Sequence, residues 1–343
     1  MPKIIGENLD MLCNFQIRPG SGSLPRGDIN RFYEAARKKQ GAPLTYLAGS
    51  QMCERVHRND VVLIVTGTRN EKHLPVGETD GHLGAASLAR AVDLAFGAKA
   101  VVTLEECNLK PVSACMRAAG LNLRDAKDLY DVDGAAYMDI WPYGPEASKV
   151  HARELIEKFN PKAIVFIEKH GPNEKGYFHT VTGNRIDEQK IANTQYLLPL
   201  AKERGILTIG AGDGGNEIGN GKIYEEIKHI PECLYGVKCR CGCGGGIATV
   251  SETDVFLSSA ISNWGIYGMV AMIAYLKKDV NIMHDEDTEA RMLIADVMEG
   301  AVDGETDRPI PAVDGIPLEG GQALVTLMRE VVSNGLKNVT RKV

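Results

Sequence analysis

The sequence predicts an α/β fold: a three-layer α/β/α sandwich around a mostly parallel sheet, with helices added at both ends of the chain. Three observations carry this reading. Short β-branched runs such as Val61–Val65 and Ala163–Ile167 are apolar throughout, as strands covered on both faces are. These runs alternate with longer segments of helical period, the pattern of βα units. The 343 residues are 44% hydrophobic and 24% charged, a balance that supports a large buried core.

Taken in order, residues 1–27 read as irregular and punctuated by glycine and proline, ending in Ser21-Gly-Ser-Leu-Pro-Arg-Gly27. Asp28 reads as the N-cap of a helix running through Lys38, and a second helix covers 45–57. Then follow strand Val61–Val65, a helix carrying Leu83, Leu88 and Val92, strand 98–104, and helix 111–119. Helix Pro145–Phe159 precedes strand Ala163–Ile167. Helix 186–203, strand 206–209, helix 216–228 and strand 254–257 complete the alternation. The 13 apolar residues 264–276 fall short of the ~20 needed to span hydrocarbon, so they read as a buried helix. Helices at 285–298 and 321–332 close the chain. The whole of 1–343 reads as one domain, with 1–58 as an N-terminal helical extension and 280–343 as helices packing on the sheet layer.

The formal charge of −6 offers no basic footprint for nucleic acid or an anionic membrane, so neither is expected as a partner. The partner expected is a small-molecule substrate, and a homo-oligomer stays open. Acids within the first ten residues interrupt any signal-like apolar stretch. Eight cysteines in this length do not form a disulfide framework, and the expected compartment is cytoplasmic.

In parallel sheets ligands bind beyond the carboxyl ends of the strands, which directs attention to four loops. After Val65 comes Thr66-Gly67-Thr68 and then Gly77-Glu78-Thr79-Asp80-Gly81. Capping alone would explain one of Glu78 and Asp80. Two acids in a glycine-bounded loop suggest a hard cation held by oxygen. After Ile167 stands Glu168, either an acid/base group or the ion-pair partner of Lys169 or Lys175. After Ile209 the loop Gly210-Ala-Gly212-Asp213-Gly-Gly215-Asn216-Glu217 matches a dinucleotide fingerprint weakly, because Asp213 would face the pyrophosphate. The better use of its glycines is to gather Asp213, Asn216 and Glu217, oxygen donors that suit Mg²⁺ or Mn²⁺ more than Zn²⁺. Ser262-Asn263-Trp264-Gly265 either lines a polar pocket under an aromatic wall or caps and packs the apolar helix.

In Cys233, Cys239, Cys241 and Cys243 the C-x-C-x-C run could give three thiolates, but metal or redox chemistry is the lesser reading. Alternate spacing points successive thiolates awkwardly, and it is not the C-x₂-C knuckle of common zinc sites. His170 and His179 read as packed or solvated. No G-x-S-x-G elbow is present to support a serine nucleophile.

Thr66-Gly67, Glu78-Thr-Asp80-Gly-x-x-Gly84-Ala85, Gly212-Asp213-Gly-Gly-Asn216-Glu217-Ile-Gly219 and Ser262-Asn263-Trp264-Gly265 together resemble the D-glutamate cyclase family. That family joins the C-terminal domain of the mitochondrial enzyme with stand-alone prokaryotic relatives. Glu168…Gly176-Tyr177…Gly183 and Gly300-Ala-Val-Asp-Gly304 add to the resemblance, which covers about residues 60 to 320. Where the family is expected to carry arginine shortly after the strand glutamate, this chain has Lys169-His-Gly-Pro-Asn173.

The resemblance implies a metal-dependent hydro-lyase that cyclises D-glutamate to 5-oxo-D-proline with loss of water. On that reading Glu78, Asp80, Asp213 and Glu217 hold Mn²⁺ or Mg²⁺, and Glu168 and Asp213 are catalytic. Thr66, Gly67, Asn216, Asn263 and Trp264 contact the substrate. A Mn²⁺- or Mg²⁺-dependent phosphohydrolase and a non-catalytic binding module for a small anion or amino acid are the alternatives that the same acidic loops leave open.

Overall fold

The computed structural model describes residues 1–18, 28–229 and 236–337. Strands β1 (Val61–Val65), β2 (Lys99–Leu104), β3 (Asn122–Leu123), β4 (Ala135–Ile140) and β5 (Ala163–Ile167) belong to the central sheet. A short antiparallel hairpin follows, β6 (Phe178–His179) with β7 (Arg185–Ile186). The sheet resumes with β8 (Leu207–Gly212) and β9 (Val255–Ser258), and a last hairpin pairs β10 (Ala312–Val313) with β11 (Ile316–Pro317). The seven sheet strands run in the order β3-β4-β2-β1-β5-β8-β9, every neighbour parallel.

Residues alternate across this sheet with period two, and the chain covers both sides. Val61, Leu63 and Val65 face Ala152, Leu155 and Ile156 of helix α6, Pro145–Phe159 in a numbering where α1–α5 are Pro2–Cys13, Asp28–Gln40, Leu44–Arg55, Thr79–Phe96 and Leu109–Ala118. Leu197 and Ala201 of α7 (Leu197–Arg204) join that layer. Helix α8 spans Tyr224–Lys228. Val62 and Ile64 face the other layer, with Leu83 and Leu88 of α4 and Ile266 and Val270 of α9 (Ser262–Lys277). Helices α10 (Glu286–Met298) and α11 (Leu318–Leu336) pack into this second layer as well. The three-layer α/β/α arrangement follows from strands that have no wet face.

Helix α9 is buried from Ser262 to Ala274, so its apolar residues cover its whole circumference. Among the described residues, no helix is long and apolar enough to cross a membrane.

Several elements differ from the sequence reading. Residues 2–13 are not irregular: α1 opens with Pro2 at its first turn and buries Ile5, Leu9 and Cys13, spaced four apart on one face, while residues 21–27 lie outside the described residues. Its Asp10 is buried, and its carboxylate accepts from the backbone N–H of Leu44 at 2.7 Å and of Thr45 at 2.9 Å. An acid that looks solvated in the sequence thus caps α3 from another helix. Strand β4 has Asp139 and part-exposed Tyr137 and Met138, which hid its period. Of the helix expected over 186–203 only α7, from Leu197, is present; single turns at Glu188–Lys190, where the Asp187 side chain accepts from the Gln189 N–H, and at Thr194–Tyr196 precede it. The helix expected over 216–228 contains only α8, after a loop carrying Gly219 and Gly221.

Candidate active site

The chain changes direction across the sheet between β1 and β5: strands after β1 add on one side, and β5, β8 and β9 add on the other. That point leaves a crevice beyond the carboxyl ends of the strands, the usual ligand position in open α/β sheets. A cavity of about 360 Å³ lies there, lined by Glu78 after β1, by Glu168 and His170 after β5, and by Asp213, Asn216 and Glu217 after β8. Its size suits a small ligand.

The floor is acidic. Carboxylate oxygens of Asp80, Glu168 and Asp213 lie within 4.8 Å of one another. Glu78, Glu217 and Asp314 line the same cavity. Burial first, then the neighbouring carboxylates, pushes Glu78, Glu168 and Asp314 well above the usual carboxylate range. Burial and Asp213 push Asp80 up to about 7 and Glu217 up to about 8. Like charges gathered this closely resist joint ionisation unless a cation is among them.

Each acid is held by local structure. Glu168 has φ of 50°, a left-handed conformation that costs a non-glycine residue about 1–3 kcal/mol and persists only where the surroundings fix it. Here they do. Its N–H donates to the Ala211 carbonyl at 3.1 Å, the Thr68 hydroxyl donates to its carbonyl at 2.7 Å, and the Ser262 hydroxyl donates to its carboxylate at 2.6 Å. Asp80 accepts backbone N–H groups of Gly81, Ser262 and Asn263 at 2.8–2.9 Å, so it caps α9 while facing the cluster. Gly81 beside it has φ of 88°, and a Cβ there would come within 2.8 Å of the Thr66 hydroxyl. Glu217 folds back on its own loop, accepting from Gly214 and Gly215 N–H at 3.0 Å and from the Asn220 amide at 2.8 Å. The glycines here supply N–H groups to an acid, not to a pyrophosphate.

Two groups come from outside the four loops. Arg18 donates from Nη1 to Asp213 at 2.6 Å and to Asp314 at 3.1 Å. It is the only arginine or lysine among the described residues lining the cavity, and its Nη2 is buried with no partner among them. Asp314 lies in the turn between β10 and β11. Nothing local in the sequence marks either residue, since each reaches the site through folding of distant segments.

The remaining expected residues divide. Asn216 lines the cavity, its amide nitrogen donating to the His179 carbonyl at 2.9 Å while its Oδ1 is buried and unpartnered. It therefore offers the cavity an acceptor. The Thr66 hydroxyl is buried without a partner, but neither Thr66 nor Gly67 is among the lining residues; the Gly67 carbonyl accepts from Lys169 at 2.6 Å. The structure does not bring the side chains of Asn263 and Trp264 to the cavity lining. Asn263 accepts from Gly81 and Gly84 N–H at 2.9 and 2.7 Å and donates to the Thr79 carbonyl at 3.0 Å, pinning α4 to α9. Trp264 is buried in the helical layer.

Lys169 does not pair with Glu168. It pairs with Glu105 at 2.6 Å, and both are almost fully buried. Removing one partner of a buried pair strands the other charge, so Glu105→Ala is expected to destabilise the fold by about 3–5 kcal/mol. Urea unfolding of the variant measures this, and an unchanged midpoint would show that the pair contributes nothing.

A family model described as D-glutamate cyclase-like, C-terminal, matches residues 36–329. The chain belongs to this family. The family match contains all the sheet strands and every expected site residue, but not Arg18, so the D-glutamate cyclase-like region receives its arginine from a preceding segment. D-glutamate cyclase, mitochondrial, from Homo sapiens is 26% identical over 224 residues, covering 63% of this chain and 33% of the human protein. The chain thus spans about a third of the length of the curated relative it matches.

Proposed function

We propose that this chain is a metal-dependent hydro-lyase that closes D-glutamate to 5-oxo-D-proline with loss of water. The observation that carries the reading is the cluster of Asp80, Glu168 and Asp213 oxygens within 4.8 Å, at a cavity lined by Glu168 and Asp213, in a chain similar to a protein named D-glutamate cyclase. The donor set is oxygen only, as Mg²⁺ and Mn²⁺ prefer. Asp80 and Asp213 would hold the ion, with Glu78 beside them and Glu217 fixing the loop. When bound, such an ion polarises the γ-carboxylate, otherwise a poor electrophile.

The chain's own groups have the remaining tasks. The α-ammonium must lose a proton before its nitrogen can attack, and Glu168, raised in affinity for protons by burial, is placed to take it. The nitrogen–γ-carbon bond then forms and one γ-carbon–oxygen bond breaks. Of the three ammonium protons, one stays on the lactam nitrogen and two leave with that oxygen as water, one of them returned by Glu168. The unpartnered Asn216 Oδ1 suits an ammonium N–H. The unpartnered Arg18 Nη2 suits the α-carboxylate.

Incubating the purified protein and Mn²⁺ with D- or L-glutamate, and following 5-oxoproline by chromatography, tests this reading. Product from the D isomer supports it; unchanged D-glutamate after prolonged incubation argues against it. Arg18→Ala is expected to raise KM by about tenfold or more, the scale of a hydrogen bond to a charged group, with a smaller change in kcat. A variant with wild-type KM would remove Arg18 from substrate binding.

A further inference from the structure

Apart from the acidic cavity, one other cluster of metal-ligating side chains stands out. His179, Cys239, Cys241 and Cys243 place a ring nitrogen and three sulfurs within 4.8 Å of one another. Cys239 Sγ lies 3.2 Å from both Cys241 Sγ and Cys243 Sγ, and His179 Nε2 lies 3.2 Å from Cys241 Sγ and 3.9 Å from Cys243 Sγ. The spacing C-x-C-x-C points successive thiolates awkwardly where the chain is extended. The chain here is not extended. Gly242 and Gly244 have φ of 73° and 78°, conformations open to glycine, and the loop curls so that the three sulfurs converge. Cys233 lies outside the described residues.

The surroundings are those of a thiolate site. The Asn173 amide approaches Cys243 Sγ at 3.5 Å and the Gly245 N–H approaches it at 3.4 Å, the kind of outer donor that supports metal-bound sulfur. His179 is buried and held by the β6–β7 pairing, so its imidazole is fixed by the fold. Three thiolates with one imidazole form a closed four-ligand set, which matches structural zinc and differs in kind from the all-oxygen cavity.

We propose that His179, Cys239, Cys241 and Cys243 bind one zinc ion that fastens the 239–246 loop to the β6–β7 hairpin. The hairpin matters to the cavity. Its turn residues Thr180, Val181, Thr182 and Asn184 line the cavity wall, and the His179 carbonyl holds the Asn216 amide at 2.9 Å. A further tie, from Arg240 N–H to the Gly183 carbonyl at 2.9 Å, joins loop and hairpin. The zinc ion is structural and takes no part in bond making.

Metal analysis of the full chain, expressed with zinc and dialysed exhaustively, is the test. One zinc per chain is expected in the wild type and in Asp213→Asn, and less than half of that in the Cys239→Ser/Cys241→Ser double variant. Should the double variant fail to fold, cobalt substitution of the wild type decides: tetrahedral d–d bands with a thiolate-to-cobalt charge-transfer band are expected. Zinc-free wild type, a disulfide within 239–243 in its place, full zinc retention by the folded double variant, or a cobalt spectrum without the thiolate band would each overturn the proposal. None of these readouts involves D-glutamate, so they stand apart from the fate of the proposed reaction.

Discussion

Asp213→Asn is expected to lower 5-oxoproline formation by about three orders of magnitude, the upper scale for removing one preorganised charge contact at a reacting centre. Asp213 touches Arg18 at 2.6 Å and shares the 4.8 Å cluster with Asp80 and Glu168. Asparagine preserves shape and withdraws a negative charge, so affinity for Mn²⁺ should fall in parallel. The fold should not suffer. Burial and Asp213 together raise Asp80 and Glu217, and removing one charge from a crowded acidic floor relieves repulsion while Arg18 keeps Asp314. A melting temperature within a few degrees of wild type, measured by calorimetry, separates loss of chemistry from loss of structure. A fully active, stable variant would remove Asp213 from the site.

Glu168→Gln is expected to lower kcat by about 10²–10⁴-fold, the range for a positioned general base, while KM moves little. Glutamine still accepts from the Ser262 hydroxyl, now 2.6 Å from the carboxylate, and the backbone bonds to Ala211 and Thr68 are untouched. What disappears is the ability to take and return a proton. Steady-state kinetics on D-glutamate distinguishes this from a binding role, which would raise KM with kcat unchanged. The left-handed backbone at Glu168 gives the same residue a structural signature: strain of this kind is retained where a side chain must be aimed.

Strands β1, β5, β8 and β9 were legible in the sequence because burial on both faces leaves an apolar run that needs no neighbour to interpret it. Strand β4 was not, because Tyr137 and Asp139 answer to contacts made elsewhere: the Thr103 hydroxyl donates to Asp139 at 2.8 Å across the sheet. The same division holds in the cavity. Glu168 and Asp213 follow strands directly, Asn216 and Glu217 come within five residues of β8, and Glu78 and Asp80 stand at the N-terminal end of α4, after β1, so local order in the chain predicted their gathering. Arg18 and Asp314 are 296 positions apart, yet both sit beside Asp213 or its partners; only the packed structure joins them.

Asn263 and Trp264 left two readings open, a pocket wall or a helix cap, and their contacts are those of the second. Every polar side-chain atom of Asn263 is used to fasten two helices. The convergence of the cysteine run was not legible either. Its partner His179 precedes Cys239 by the whole of β7, β8 and α8, and the curl that converges the sulfurs depends on glycine conformations that no spacing rule conveys.

Metal dependence of the reaction tests the central claim most directly. Protein stripped with a chelator and dialysed is incubated with D-glutamate alone, with Mn²⁺ and with Mg²⁺, and 5-oxoproline is quantified; Asp213→Asn is carried through the same series. The acidic cavity predicts no product from stripped wild type, product once either ion is restored, and about three orders of magnitude less from Asp213→Asn under the same conditions. Undiminished product from metal-free protein, or none with any ion, would contradict it.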